Sequence, residues 1–216
     1  MKMKFGESVL FSIALILIAG LLMNISNILH LMFFDTNSLA INNILFIIFG
    51  TISFVLIPRK FVNWLNIFPP KTKLNVNYLR LFVVVAIMLV LSSNMAEYNK
   101  LIIHRAIIVS LLEEYLFRFI IYNIFLHNSN QGISYILTSL LFSMILHLNG
   151  SVIGNLLIKF PSALILQWIY IHIGYECSVT LHSLNNIIVS LIWSLYGRWF
   201  KSLDHYFYLL YCMYYW

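Results

Sequence analysis

The segment Leu111–Phe119 reads LLEEYLFRF and sets Glu113, Glu114 and Arg118 in otherwise apolar surroundings. Further along, His147 closes the run Leu140–His147 (LLFSMILH), and His182 and Asn186 lie four apart in the stretch HSLNN. These types suit one chemistry in particular. A carboxylate can take a proton from water, an imidazole can orient or assist it, and an imidazole with a carboxamide can donate to a developing oxyanion. Base, imidazole and two donors suffice for acyl hydrolysis. On a helix, Glu114 and Arg118 share a face and suit an ion pair, whereas Glu113 is turned roughly 100° away and is the poorer partner. One carboxylate is therefore structural and the other is left available. Each group also has a plainer reading. The three charges can be a buried salt-bridge network that only orients helices, His147 a satisfied structural residue, and His182 with Asn186 interhelical hydrogen-bond glue.

The elements that must carry these groups follow from composition. Of 216 residues, 62% are apolar and 9% charged, against roughly 45–50% and 25% in ordinary globular chains. A water-facing surface cannot be made from so few charges. A soluble enzyme, a disordered chain and a disulfide scaffold are excluded, and an all-α, polytopic membrane bundle of seven or eight transmembrane helices is expected as a single domain over 1–216. A crossing needs about 20 mostly apolar residues. The runs 8–34, 39–58, 78–95, 101–126, 131–149, 151–173 and 177–197 qualify. Their length, without strict alternation, favours helices over a barrel. The first is read as a retained anchor, and the tyrosine-crowded 205–216 as interfacial or as a tilted eighth segment.

The net charge of +6 is a topology signal, with no nucleic-acid partner expected. Lys2 and Lys4, and the cluster Arg59, Lys60, Lys71, Lys73 and Arg80, fall on one side after two crossings, as the excess of basic residues in cytoplasmic loops requires. Arg198 and Lys201 then fall outside after seven spans, which an eighth span would explain. Simple alternation puts His147 near the outer end of span five and His182 near the inner end of span seven. A shared site needs span five to continue past Gly150, or span six to break near Pro161. Cys177 and Cys212 form no zinc or disulfide pattern.

Inside a bilayer each mid-helix charge costs about 2.5–3.5 kcal/mol, so the three charges of LLEEYLFRF must face a polar interior. The ordered set, EExxxR, then a histidine after an apolar helix, then HxxxN, resembles the CPBP family of CAAX proteases and bacteriocin-processing (Abi-type) proteins over roughly 100–190. Glu113 to Arg118 fits its first motif and His182 to Asn186 its third. The second is usually Phe, three residues, then His; here Phe142 lies five before His147 and Ser143 takes the matching position. The resemblance implies an intramembrane endopeptidase in which Glu113, with His147, activates a water. His182 and Asn186 would donate to the oxyanion, while Glu114 and Arg118 orient the helix and balance its charge. It points to metal-independent chemistry with no cofactor. Glutamate and neutral histidine are also zinc ligands, but the chain has no HExxH, no GxSxG and no GxGD.

Expected partners are the lipid bilayer and a peptide or membrane-protein substrate. A short chain rich in Ile and Asn looks bacterial, placing it in a cell membrane and favouring leader-type or other small peptides. The alternative is a non-catalytic immunity or partner-regulating protein of the same fold. A transporter or proton relay lacks the expected repeat and paired broken helices.

Overall fold

The computed structural model describes residues 3–33, 39–67, 74, 76–93, 97–146 and 151–199. Over them the chain is an all-α bundle of seven helices. They are α1 (Phe5–Phe33), α2 (39–64), α3 (Tyr78–Ser92), α4 (97–128), α5 (Gln131–Met144), α6 (Val152–His172) and α7 (Tyr175–Trp199). Each answers to one of the seven apolar runs, with ends shifted by a few residues. Helices α1, α6 and the 41–64 part of α2 are long and apolar enough to cross a membrane. At 1.5 Å per residue α1 is roughly 43 Å long, against a hydrocarbon core of about 30 Å.

α1 shows how sequence becomes packing. Its buried residues are Ser8, Ser12, Leu15, Ile16, Ala19, Met23, Ser26 and His30, which recur once per turn on one face, with Leu15 and Ile16 side by side. Three serines and an alanine on that face let backbones approach closely. The opposite face, with Leu10, Leu17, Leu21, Ile25 and Ile28, is exposed and largely apolar, and the exposed Asn24 amide on it donates to the Gly20 carbonyl within the helix. An outer surface of this kind is costly in water and free of cost against lipid. These apolar helices are those of an integral membrane protein.

α4 is the exception that organises the rest. From Leu116 to Tyr122 every side chain is buried whichever way it points, as in a helix enclosed on all sides. It packs against α1, α2, α3, α5 and α7, and its middle carries the two glutamates and Arg118.

Three helices contain a widened π turn, at Thr51–Leu56, Tyr115–Ile121 and Asn155–Lys159. Two have an evident cause. Pro58 and Pro161 each follow a π turn by two residues. A proline offers no N–H to the carbonyl four residues back, here Phe54 and Leu157, and its ring crowds that carbonyl. The break expected near Pro161 is thus a widened turn within a continuous α6. The turn in α4 has no proline. It begins directly after Glu114, and π turns of this kind recur at functional sites. Helix α5 ends at Met144, with a turn at Ile145 and Leu146, so it does not run past Gly150. The short link from α6 to α7 turns on Gly174, whose φ of 137° only glycine adopts readily.

Candidate functional site

The antiparallel seam between α4 and α7 is built from small polar rungs. Ser178, His182 and Asn186 are successive one-turn steps along α7, so they share a face. Ser178 Oγ hydrogen-bonds Glu114 Oε2 and lies 3.1 Å from the Leu166 carbonyl. His182 Nδ1 lies 3.0 Å from Glu114 Oε1, and its Nε2 lies 3.4 Å from Glu113 Oε2. Asn186 Nδ2 donates to Ser110 Oγ at 3.2 Å, one turn before the glutamates on α4. Ser110 in turn donates to the Ala106 carbonyl at 2.8 Å, which fixes the hydroxyl's lone pairs toward Asn186. The Tyr175 hydroxyl donates to the Leu111 carbonyl at 2.8 Å and closes the seam at the start of α7.

Arg118 supplies the counter-charge. Its Nε donates to Glu114 Oε2 at 3.1 Å, its Nη1 to Gln167 Oε1 of α6 at 3.1 Å, and its guanidinium lies 5.0 Å from the Phe142 ring centroid. Arg118 and Glu114 are both fully buried, so each needs the other to avoid an isolated charge in a dry interior. The expected i, i+4 pair is present, and Glu113 is indeed the carboxylate left out of it. The ring of His182 bridges both acids. Glu114 is thus held by both Arg118 and His182, whereas Glu113 meets only the imidazole at ion-pair distance among the described residues.

Phe142 sits at this site although its spacing to His147 departs from the family pattern. Its ring packs edge-on to His182 at 5.5 Å and to Phe117 at 5.0 Å. Helix α5 stops at Met144, two residues past Phe142. His147 itself lies outside the described residues, as do Cys212 and residues 205–216. Cys177 is a half-buried free thiol. The arrangement therefore brings together Glu113, Glu114, Arg118 and His182, and ties Asn186 into the same seam.

Sequence reasoning passed over Ser110, Gln167 and Ser178 as site residues and named Phe142 only as the displaced aromatic of the second motif. Ser178 precedes His182 by four and Ser110 precedes Glu114 by four, so both were findable as small polar residues in register with a charged one. Gln167, a lone amide in ALILQWIY, carried the same signal. Among the described residues no cluster of three or more His, Cys, Asp or Glu side chains is placed to hold a metal ion.

A buried acid pair, bridged by an imidazole within a bundle of apolar helices, defines a class: a membrane-embedded fold of the protease kind. The profile of the type II CAAX prenyl endopeptidase Rce1-like family matches residues 81–188, from α3 into α7. The chain belongs to that family, which is grouped with the Abi and CPBP proteins. No match is found among curated proteins or solved structures.

Proposed function

We propose that the chain is an intramembrane endopeptidase that hydrolyses a peptide bond with a water activated by Glu113. The observation that carries this reading is the bridged acid pair: one carboxylate paired with Arg118, the other with only an imidazole at ion-pair distance among the described residues. Such a division of labour leaves Glu113 free to accept a proton while Glu114 holds the histidine in place.

In this mechanism the water oxygen attacks the scissile carbonyl carbon and Glu113 takes the water's proton. Negative charge gathers on the carbonyl oxygen. His182, oriented through Nδ1 by Glu114, donates from Nε2, and Asn186 donates the Nδ2 hydrogen that Ser110 does not use. Preorganised donors in a dry site are worth far more than the same groups in water. The C–N bond then breaks, the proton on Glu113 passes to the leaving nitrogen, and a carboxylic acid and an amine result; the acid's remaining proton, the second from the water, then passes by way of Glu113 to the amine, leaving a carboxylate and an ammonium. The part of His147 beside Glu113 and the absence of a metal belong to the same proposal and rest on the sequence motifs; the seven or eight crossings rest on the apolar runs, and a bacterial cell membrane and small leader-type peptide substrates on the chain's length and composition.

The test compares wild type with the triple alanine variant at Glu113, His147 and His182, both reconstituted in proteoliposomes. Each is offered a farnesylated Cys–aliphatic–aliphatic–X peptide and a double-glycine leader peptide, with and without a chelator. Cleavage by wild type, lost in the triple variant and indifferent to chelator, is expected. Chelator sensitivity would replace the metal-free mechanism by zinc. A cellular protection phenotype that survives the triple substitution would make the chain a non-catalytic immunity protein.

A further inference from the structure

The inward face of α6 carries a charge that the site described above does not use. Lys159 is the one Asp, Glu, Lys or Arg in the apolar helix Val152–His172. A charge inside such a helix is costly and marks function by default. Its direction is fixed by its neighbours. Asn155, Ala163, Leu166 and Gln167 are buried and lie at helical spacing along one stripe, and Lys159 falls on that stripe between Asn155 and Ala163. Leu157 and Ile158, by contrast, are 68% and 70% exposed on the lipid side. Lys159 is half-buried, and the stripe leads on to Gln167, which holds Arg118.

From there the Lys159 ammonium and the Glu113 carboxylate feel each other's charge. Among the described residues no carboxylate lies within ion-pair distance of Lys159. The charges facing Glu113 are His182, Glu114, Arg118 and Lys159. Arg118 is paired with Glu114, and Glu113 lies at ion-pair distance from His182, so both acids have partners of their own and the ammonium on the α6 stripe is left without a counter-charge among the described residues. A site in that state favours an anionic ligand, and a lysine provides a mobile point charge on a flexible stem.

We propose that Lys159 is a substrate anchor: it binds a carboxylate of the peptide, close in the chain to the bond that is cut and on the α6 side of the site. This rests on reading the chain as a peptidase. Two sources supply that carboxylate, the free C-terminus of the substrate or an acidic side chain, and the chemistry at Lys159 is the same for both.

The experiment uses the full chain in proteoliposomes and two matched probe pairs. One is a farnesylated Cys–aliphatic–aliphatic–X peptide as free acid and as C-terminal amide. The other is a leader peptide carrying Asp and Glu or the corresponding amides. Wild type is expected to prefer the acid of at least one pair. Lys159→Met should raise KM for that acid about tenfold or more, to the value of its amide, with kcat little changed, and Lys159→Arg should keep the preference. Lys159→Gln serves should the methionine variant not insert. Equal loss on acid and amide, or a loss in kcat alone, overturns the anchor. Equilibrium binding to Glu113→Gln, with and without Lys159→Met, separates the two claims. An acid preference in binding, abolished by Lys159→Met, with no cleavage by wild type, keeps the anchor and ends the peptidase reading. Cleavage without that preference, or no binding of any probe, ends the anchor.

Discussion

Glu114 and Arg118 are two charges with no access to water, and removing either leaves the other stranded. Breaking a buried pair typically costs about 3–5 kcal/mol. Glu114→Gln and Arg118→Met are each expected to lower the melting temperature strongly in detergent or nanodiscs, and the double variant to recover part of the loss. Melting temperatures unchanged in both single variants would mean the pair is solvated. The pair was legible from spacing alone, since four residues on a helix place two side chains together. The division of the glutamates was legible for the same reason. The hydrogen bond from Ser178 to Glu114 and the amide of Gln167 on Arg118 were not, because both depend on the register between helices distant in sequence. A sequence pattern carries periodicity within a helix, and it carries nothing about which turn of α7 meets which turn of α4.

At the scale of the helix, glycines decide how closely the elements approach. A Cβ at Gly50 would stand 2.5 Å from Leu112 Cδ1, beside Glu113. Gly50→Ala is expected to be mild, because the end of the Leu112 side chain can turn away. Gly50→Ile should cost about 1–3 kcal/mol by overpacking the α2–α4 contact, read as a drop in thermal stability. Gly174 takes φ 137° at the link between α6 and α7, and a Cβ there would also meet Glu176 Oε2 at 3.0 Å. Gly174→Ala is expected to destabilise by about 1–3 kcal/mol. A stability equal to wild type would show that the link can adopt another turn. Pro161 announced an irregular α6 in the sequence and Pro58 did the same for α2, though only the first was read that way. The π turn after Glu114 left no such mark, since no proline stands beside it. The place of Phe142 was not legible for a related reason. Counting toward His147 assumes a continuous helix, and the helix ends first.

For the molecule as a whole, the lipid face and the polar interior make opposite demands on the same helix. Leu157 faces outward on α6, whereas Lys159 two residues later faces inward. An arginine at mid-membrane on a lipid-facing position costs about 2.5–3.5 kcal/mol of insertion. Leu157→Arg is therefore expected to reduce membrane-inserted protein, scored by glycosylation mapping of the α6 segment, by much more than Lys159→Arg. Equal insertion of the two would contradict the assignment of the faces. The seven helices were legible because lipid demands long apolar runs, and those runs survive in composition alone. Their arrangement around α4 was less so: a helix bearing Glu113, Glu114 and Arg118 can be stable only if enclosed, which pointed to the centre without naming the neighbours.

The claim on which these scales converge is that Glu113 activates the hydrolytic water. The most direct measurement is the single-turnover cleavage rate of Glu113→Gln in proteoliposomes, at equal inserted protein and with a melting temperature matched to wild type. A fall of about 10²–10⁴-fold is predicted for loss of a general base. Cleavage at the wild-type rate would contradict the account.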